Sequence, residues 1–293
     1  MKGGAMIRLA FSTNAYTKHT LAEACDGIAA AGYTAVEILA DHPHAYPPVF
    51  SEHEADRLRE RLEALGLAPV AVNANTAMAY FTPLPEALTF EPSLIAPDPG
   101  HRADRIRIMR QAMALANRLG APVVTITGGQ PPAAGAAGAG EPAAVLRARL
   151  LEGLEHVCRD ADLAGVDLAF EPEPGQFIET TDALAGLLDE VDHPRLGANV
   201  DVGHAWCAGD DPAESIRRLG RRVKHLHLED IKDRTHYHLI PGEGGEIDFP
   251  AVRRALDEIG YAGAAAVELY TYADEPDRAA VGAYQALAPL FGA

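Results

Sequence analysis

VDLAFEPE (166–173), LGANVDVGH (196–204), VKHLHLED (223–230) and AGAAAVELY (262–270) are four short apolar runs, each ending in acidic or histidine side chains. Helical patterns separate them at 182–191, 212–219 and 249–259, and a last one follows at 276–290. Strands that are apolar throughout are buried on both faces, as parallel strands are. Regular alternation of such strands with helices gives either an open doubly wound sheet or a closed barrel.

Upstream, the same scheme repeats. Strand-like runs at 7–12, 33–40, 67–75 and 121–129 precede helical patterns at 21–31, 51–65, 102–119 and 142–164. Ser51 and Glu54 read as a capping box, and Thr181 as the cap of the helix that follows it. Eight strand–helix units in 293 residues favour a single (β/α)8 TIM barrel, one domain over 1–293. A dinucleotide-binding sheet would need GxGxxG after its first strand, and none is there. The segments 76–100 and 129–141 read as insertions or lids. GEGG (242–245) lacks the lysine and hydroxyl residue of a phosphate loop and reads as a turn within a Gly-rich loop. The AAGAAGAGEP stretch (133–142) reads as a flexible loop.

The net charge of -17, from 42 acidic and 25 basic residues, is the wrong sign for gripping phosphates, so no nucleic-acid partner is expected. No apolar run approaches the roughly 18 residues that span a bilayer, so no membrane partner is expected either. Cys25, Cys158 and Cys207 lack CxxC spacing, and MKGGAMIRLAF is too short an apolar stretch for a secretory leader. Both features lead to the expectation of a reduced, cytoplasmic protein.

Functional residues of such barrels project from the C-terminal ends of the strands. Those positions hold Glu37, Asn73, Asn75, Thr125, Thr127, Glu171, Glu173, Asp201, His204, His225, His227, Glu229, Asp230 and Glu268. Four successive strands supplying Glu, Asp, His and Glu at one level would converge. Three carboxylates there repel unless a divalent cation neutralises them. The alternative is a set of buried ion pairs, for which Lys224 and Arg8 are the nearest cations in strand order.

FEPEPGQFIET, NVDVGH, KHLHLEDIKD…GEGGEIDF and AAVELY together resemble the xylose isomerase-like barrel superfamily, over nearly the whole chain. That group holds ketose 3-epimerases, hydroxypyruvate isomerase, inosose dehydratases and metal-dependent apurinic endonucleases. The resemblance implies one divalent metal ion, with Mn²⁺ ahead of Mg²⁺, Co²⁺ and Zn²⁺, held by Glu171, Asp201, His227 and Glu268. It implies Glu171 and Glu268 as the catalytic pair on opposite faces of a small carbohydrate-like substrate, working through a metal-stabilised cis-enediolate. His204 would contact a substrate oxygen, and relatives of this kind form homo-oligomers.

The chain departs from the ketose-epimerase pattern in two places. Asp233, followed by Arg234, stands where those enzymes carry an arginine, and Glu179 is the offset counterpart of a substrate-binding glutamate. His236 and His238 fall near further metal ligands of the endonuclease-like members. Asn73, Asn75 and Thr127 stand near where those members need histidines, which breaks their three-ion site. His238, Glu37, Glu179 and Trp206 are therefore further candidates for substrate contact, with His225 one layer deeper than His227. The leading expectation is a sugar isomerase or epimerase. A lyase or dehydratase on a cyclitol or keto-glycoside comes second, and an apurinic endonuclease third.

Overall fold

The structure is a computed structural model that describes residues 7–292; the leader-peptide reading therefore rests largely on residues outside it. Ten strands follow in chain order: β1 (Arg8–Ser12), β2 (Ala35–Leu39), β3 (Ala68–Asn73), β4 (Val123–Ile126), β5 (Asp167–Phe170), β6 (Leu196–Asp201), β7 (Val223–Leu228), β8 (Asp230–Lys232), β9 (Thr235–Leu239) and β10 (Ala264–Val267). Eight of them close into a parallel barrel in the order β1-β10-β7-β6-β5-β4-β3-β2, and β8 and β9 form a separate antiparallel pair. Closure pairs Arg8 with Ala264 and Phe11 with Val267. The (β/α)8 expectation holds.

The helices are α1 (Leu21–Ala30), α2 (Glu52–Leu65), α3 (Pro99–Leu119), α4 (Ala143–Ala164), α5 (Thr181–Val191), α6 (Val202–Ala208), α7 (Pro212–Leu219), α8 (Phe249–Ile259) and α9 (Pro276–Phe291). The Ser51–Glu54 capping box is formed, and Gly66 ends α2 in the left-handed conformation at φ 68°. Helix α3 starts earlier than expected because Asp98 caps it and Pro99 occupies its first turn. The cap of α5 is Thr180, not Thr181. Thr181 is turned away instead, its amide donating to Asp210 and its hydroxyl paired with Ser215 at 2.7 Å.

Along a strand, alternate residues face the barrel lumen. The small side chains Ala10, Ala35, Val70, Ala264 and Ala266 cluster together, apart from the main core under the helices. Two residues further along the same faces stand Ser12, Glu37 and Glu268, so the lumen changes from carbon to polar groups toward its C-terminal end.

Two elements were not expected. The short helix α6 follows β6 directly, its cap the Asp201 side chain accepting from the His204 amide at 2.6 Å. The β8–β9 hairpin replaces part of the Gly-rich loop. Its two-residue turn places Asp233 and Arg234 at φ 55° and 49°. Behind it, GEGG is a turn as expected, wrapped around the buried carboxylate of Asp230. That carboxylate accepts the amides of Gly242, Gly244, Gly245, Glu246 and Ile247 at 2.7–3.3 Å. Among the described residues, no helix is long and apolar enough to cross a membrane.

Candidate functional site

Asp201 pairs in register with His227, and His227 with Ala266, two residues short of Glu268. Glu171 follows β5 immediately, its amide bonded to the Ile126 carbonyl of β4. Strand register therefore brings Glu171, Asp201, His227 and Glu268 to one level. Each presents one ligand atom, and these atoms lie within 4.8 Å of one another. All four residues are buried. Nδ1 of His227 is 3.2 Å from Glu171, 3.6 Å from Glu268 and 3.9 Å from Asp201.

Amides hold the acidic groups in place. Asn75 and Asn199 donate to Glu171 Oε2 at 2.7 and 2.5 Å, and Asn73 donates to Glu268 at 2.9 Å. Asn199 went unremarked in the sequence, although it sits two residues before Asp201 and so on the same strand face. The cations proposed to neutralise the cluster are elsewhere. Lys224 bonds Asp167 at the start of β5, and Arg8 begins β1 at the opposite end of the barrel.

Burial pushes carboxyls up and imidazoles down, and neighbouring charges then decide. Glu171 is buried, yet His227 and His204 hold it well below the usual range. Burial, with Glu229 alongside, holds Asp201 well above it. Burial raises Glu268 and Glu173 to about 8, and Glu229 to about 7. His227 stays well above its ordinary value because Glu268, Glu171 and Glu37 outweigh burial. Carboxylates packed this tightly do not all ionise without a cation among them. Asp201 Oδ2 is buried with no hydrogen-bond partner, an acceptor left open. Three carboxylates, one imidazole and that open acceptor fit a divalent ion.

A cavity of about 740 Å³, including space open to solvent at its mouth, lies over the cluster, and Glu171, Glu268, His204, His236 and Glu173 are among its walls. His204 lies 3.2 Å from Glu171. His238 is fully buried behind it, 3.3 Å from His204 and bonded to the Glu268 carbonyl at 2.8 Å. His204, His236 and His238 thus form a second cluster of potential ligand atoms beside the first.

Besides His238, three candidates for substrate contact lie outside this cavity. Glu37 is fully buried beneath it, its Oε2 2.9 Å from His225 and 3.0 Å from His227. His225 occupies the deeper layer, as the two-residue spacing implied. Glu179 is exposed and accepts from the Gly175 amide at 3.0 Å. Trp206 donates to Glu246 at 2.7 Å and carries the Arg234 guanidinium 3.9 Å from its ring centroid. The sequence missed the cavity walls contributed by Asp41, His42 and Phe90, which come from loops without a periodic signal, and by Tyr270, which opens a 3-10 turn just after β10.

A closed parallel barrel gathers carboxylates and imidazoles at its C-terminal mouth, where they make a candidate metal site. The chain belongs to the xylose isomerase-like TIM barrel family, whose profile matches residues 25–288. It is 29% identical over 267 residues to fructoselysine 3-epimerase of Escherichia coli O157:H7, covering 88% of this chain and 90% of the relative. It is 29% identical over 136 residues to inosose dehydratase of Clostridium perfringens (strain 13 / Type A), covering 41% and 46%. Among solved structures it is similar in fold to the IOLI protein with a binding zinc atom, with TM-score 0.77, 20% identity and coverage of 97% and 98%.

Proposed function

We propose that this protein is a divalent-metal-dependent sugar isomerase or epimerase acting on a small polyhydroxy ketone or related carbonyl compound. The observation that carries the reading is the pair Glu171 and Glu268, both walls of one cavity, both within 3.6 Å of the His227 imidazole, on strands three places apart around the barrel. The similarity to fructoselysine 3-epimerase along most of the chain supports it.

In this reading Glu171, Asp201, His227 and Glu268 hold one ion, with Mn²⁺ ahead of Mg²⁺, Co²⁺ and Zn²⁺. When bound, the ion supplies positive charge against the oxygen that becomes negative as a proton leaves the neighbouring carbon. One glutamate takes that proton and the other returns one from the opposite side. Asn73, Asn75 and Asn199 keep the two carboxylates aimed, and His204 donates to a substrate oxygen. Both roles for the glutamates require that neither be neutralised by a lysine or arginine, and Lys224 and Arg8 are out of reach.

A lyase or dehydratase is the second reading, favoured by the similarity to inosose dehydratase and by Glu173. In that reading this further carboxyl group of the cavity, outside the four-residue set, would protonate a departing hydroxyl. The endonuclease reading is weakened by Asn75, whose amide is already committed to Glu171.

The test is elemental analysis after dialysis against each ion, for the wild type and Glu268→Ala, followed by ketose turnover in D₂O. About one ion per chain, lost in the variant, with solvent deuterium entering recovered ketose and no loss of water, is the expected result. Loss of water would select the lyase reading. No bound metal under any condition would overturn both.

A further inference from the structure

The lumen of the barrel is underfilled at the end away from the acidic cluster. Branched side chains normally fill such interiors. Here the group inside the lumen is Ala10, Ala35, Ala264 and Ala266, with Val70 alone branched. A cavity of about 810 Å³, including space open to solvent at its mouth, remains at that end. Arg8, Val70, Lys224, His225 and Ala264 are among its walls, and it shares none with the cavity over the acidic cluster.

Strand register sets the polar groups around this space. Arg8 pairs with Ala264, and Ala265 with Leu226, so Arg8, Ala264 and His225 stand abreast on β1, β10 and β7. Neighbouring strands are about 4.8 Å apart, so the alanine leaves roughly 10 Å between the Arg8 and His225 backbones. A register shift against β6 leaves Lys224 unpaired between Val223 and His225. Its stem lies across Gly197, where a Cβ would meet Lys224 Cγ at 2.7 Å.

These groups have bonding capacity to spare. Among the described residues the Arg8 guanidinium makes no hydrogen bond or ion pair. Lys224 gives one of its donors to Asp167 at 2.7 Å, and Asp167 also has Arg195 at 3.3 Å. His225 is fully buried, with Nε2 donating to the Glu37 carboxylate at 2.9 Å, while Nδ1 is buried with no partner. With the ring proton on Nε2, Nδ1 is an acceptor, and a buried acceptor calls for an O–H or N–H against it.

We infer that the N-terminal mouth of the barrel is a binding site for a small oxyanion that carries one O–H, the hydrogen phosphate ion. Its charged oxygens meet the Arg8 guanidinium and the Lys224 ammonium, and its O–H donates to Nδ1 of His225. Sulfate has the same shape and charge but no O–H, and would leave Nδ1 unpaired. The net charge of -17 opposes an extended polyanion, whereas one phosphate needs only these two cations. Bound there, the ion ends a hydrogen-bonded chain that runs through His225 and Glu37 to His227.

Equilibrium dialysis of the full chain against labelled inorganic phosphate tests this, with sulfate and methyl phosphate as competitors. The buffer is freed of divalent ions, so that no metal at the other mouth can take up the phosphate. At about pH 8 a phosphate monoester has lost its second proton, so methyl phosphate lacks the O–H as sulfate does. Phosphate is expected to bind once per chain and at least ~10-fold tighter than either competitor, since a site built around a hydroxyl rejects analogues without one. Arg8→Gln, at an exposed position, is expected to weaken phosphate binding by ~10-fold or more. Lys224→Met, which leaves Asp167 its contact with Arg195, is expected to do the same. Absence of phosphate binding, equal binding of phosphate and sulfate, or phosphate binding unchanged in both variants overturns the site.

Discussion

The Glu37 carboxylate lies 3.0 Å from Nε2 of His227, on the side of the ring away from the three acidic groups that face Nδ1. With an ion held in the cluster, a proton on Nε2 would be donated to Glu37, leaving the Nδ1 lone pair for the ion. Glu37 holds His225 with the same oxygen, so one buried carboxylate fixes two imidazoles.

Replacing that carboxylate removes the charge without removing the shape. Glu37→Gln is expected to weaken Mn²⁺ binding by ~10–100-fold, the usual effect of losing a partner behind a ligand histidine. Its sugar affinity at saturating metal should stay close to wild type, because Glu37 is walled off from the cavity. Titration with Mn²⁺ followed by ketose KM measurement separates the two. A changed KM with unchanged metal affinity would return Glu37 to the role of a substrate contact.

Arg105 sits wholly inside the protein, and its guanidinium bonds the Ala74 and Asn75 carbonyls at 2.6 and 2.9 Å and that of Thr76 at 3.3 Å. Burial lowers it to about 10, so it remains charged at neutral pH. Arg105→Met leaves three carbonyls without their donor and should cost about 3–5 kcal/mol in urea unfolding. A loss under about 1 kcal/mol would show that water replaces the guanidinium.

Asp230 collects five backbone amides from 242–247, and Gly244 beneath it has no space for a Cβ beside the Ile231 carbonyl. Asp230→Ala is expected to destabilise the protein by about 3 kcal/mol or more, since charged acceptors are worth about 1.5–3 kcal/mol per bond and several are lost together. Hydrogen exchange should rise specifically at Gly242, Gly245 and Ile247. Uniformly unchanged exchange there would contradict the cap.

His44 is buried between Thr13 Oγ1, at 3.1 Å, and the carbonyls of Tyr16 and His19. Burial takes it from an ordinary 6.5 down to about 4. The unfolded chain therefore binds a proton first as pH falls. Stability from this group is present above about 6.5, falls between 6.5 and 4, and levels off below. Between pH 7 and 5 the loss is about 2 kcal/mol. His44→Asn should flatten that part of the urea-midpoint profile, and an identical slope in the variant would rule the assignment out.

The barrel and the four clustered residues were legible because each ends an apolar strand, and a strand period of two carries the rest. That period also places Asn199 beside Asp201 and His225 beneath His227. The placements of Trp206 and Arg234 were not legible, since they depend on α6 and the β8–β9 hairpin, and Glu179 lies in the loop between β5 and α5, where no strand or helix period applies. A two-residue hairpin turn with positive φ at both positions is normally written Asn-Gly or Asp-Gly. Here it is Asp233-Arg234, a pair with no such signal. Tertiary contacts hold it instead: the Asp233 and Arg234 amides donate to Glu246, and the Arg234 guanidinium lies over Trp206. The cap of α5 was displaced for a similar reason, because Asp210 and Ser215 claim Thr181 first.

The pairing of β1 with β10 has a consequence for the order of events in synthesis. Glu171, Asp201 and His227 leave the ribosome well before Glu268, yet only the seating of β10 against β1 and β7 brings the fourth member to them. The third carboxylate is therefore added to the repulsion between Glu171 and Asp201 only with the last strand of the barrel. A nascent chain stopped short of β10 would carry three quarters of the cluster on an open sheet with two raw edges.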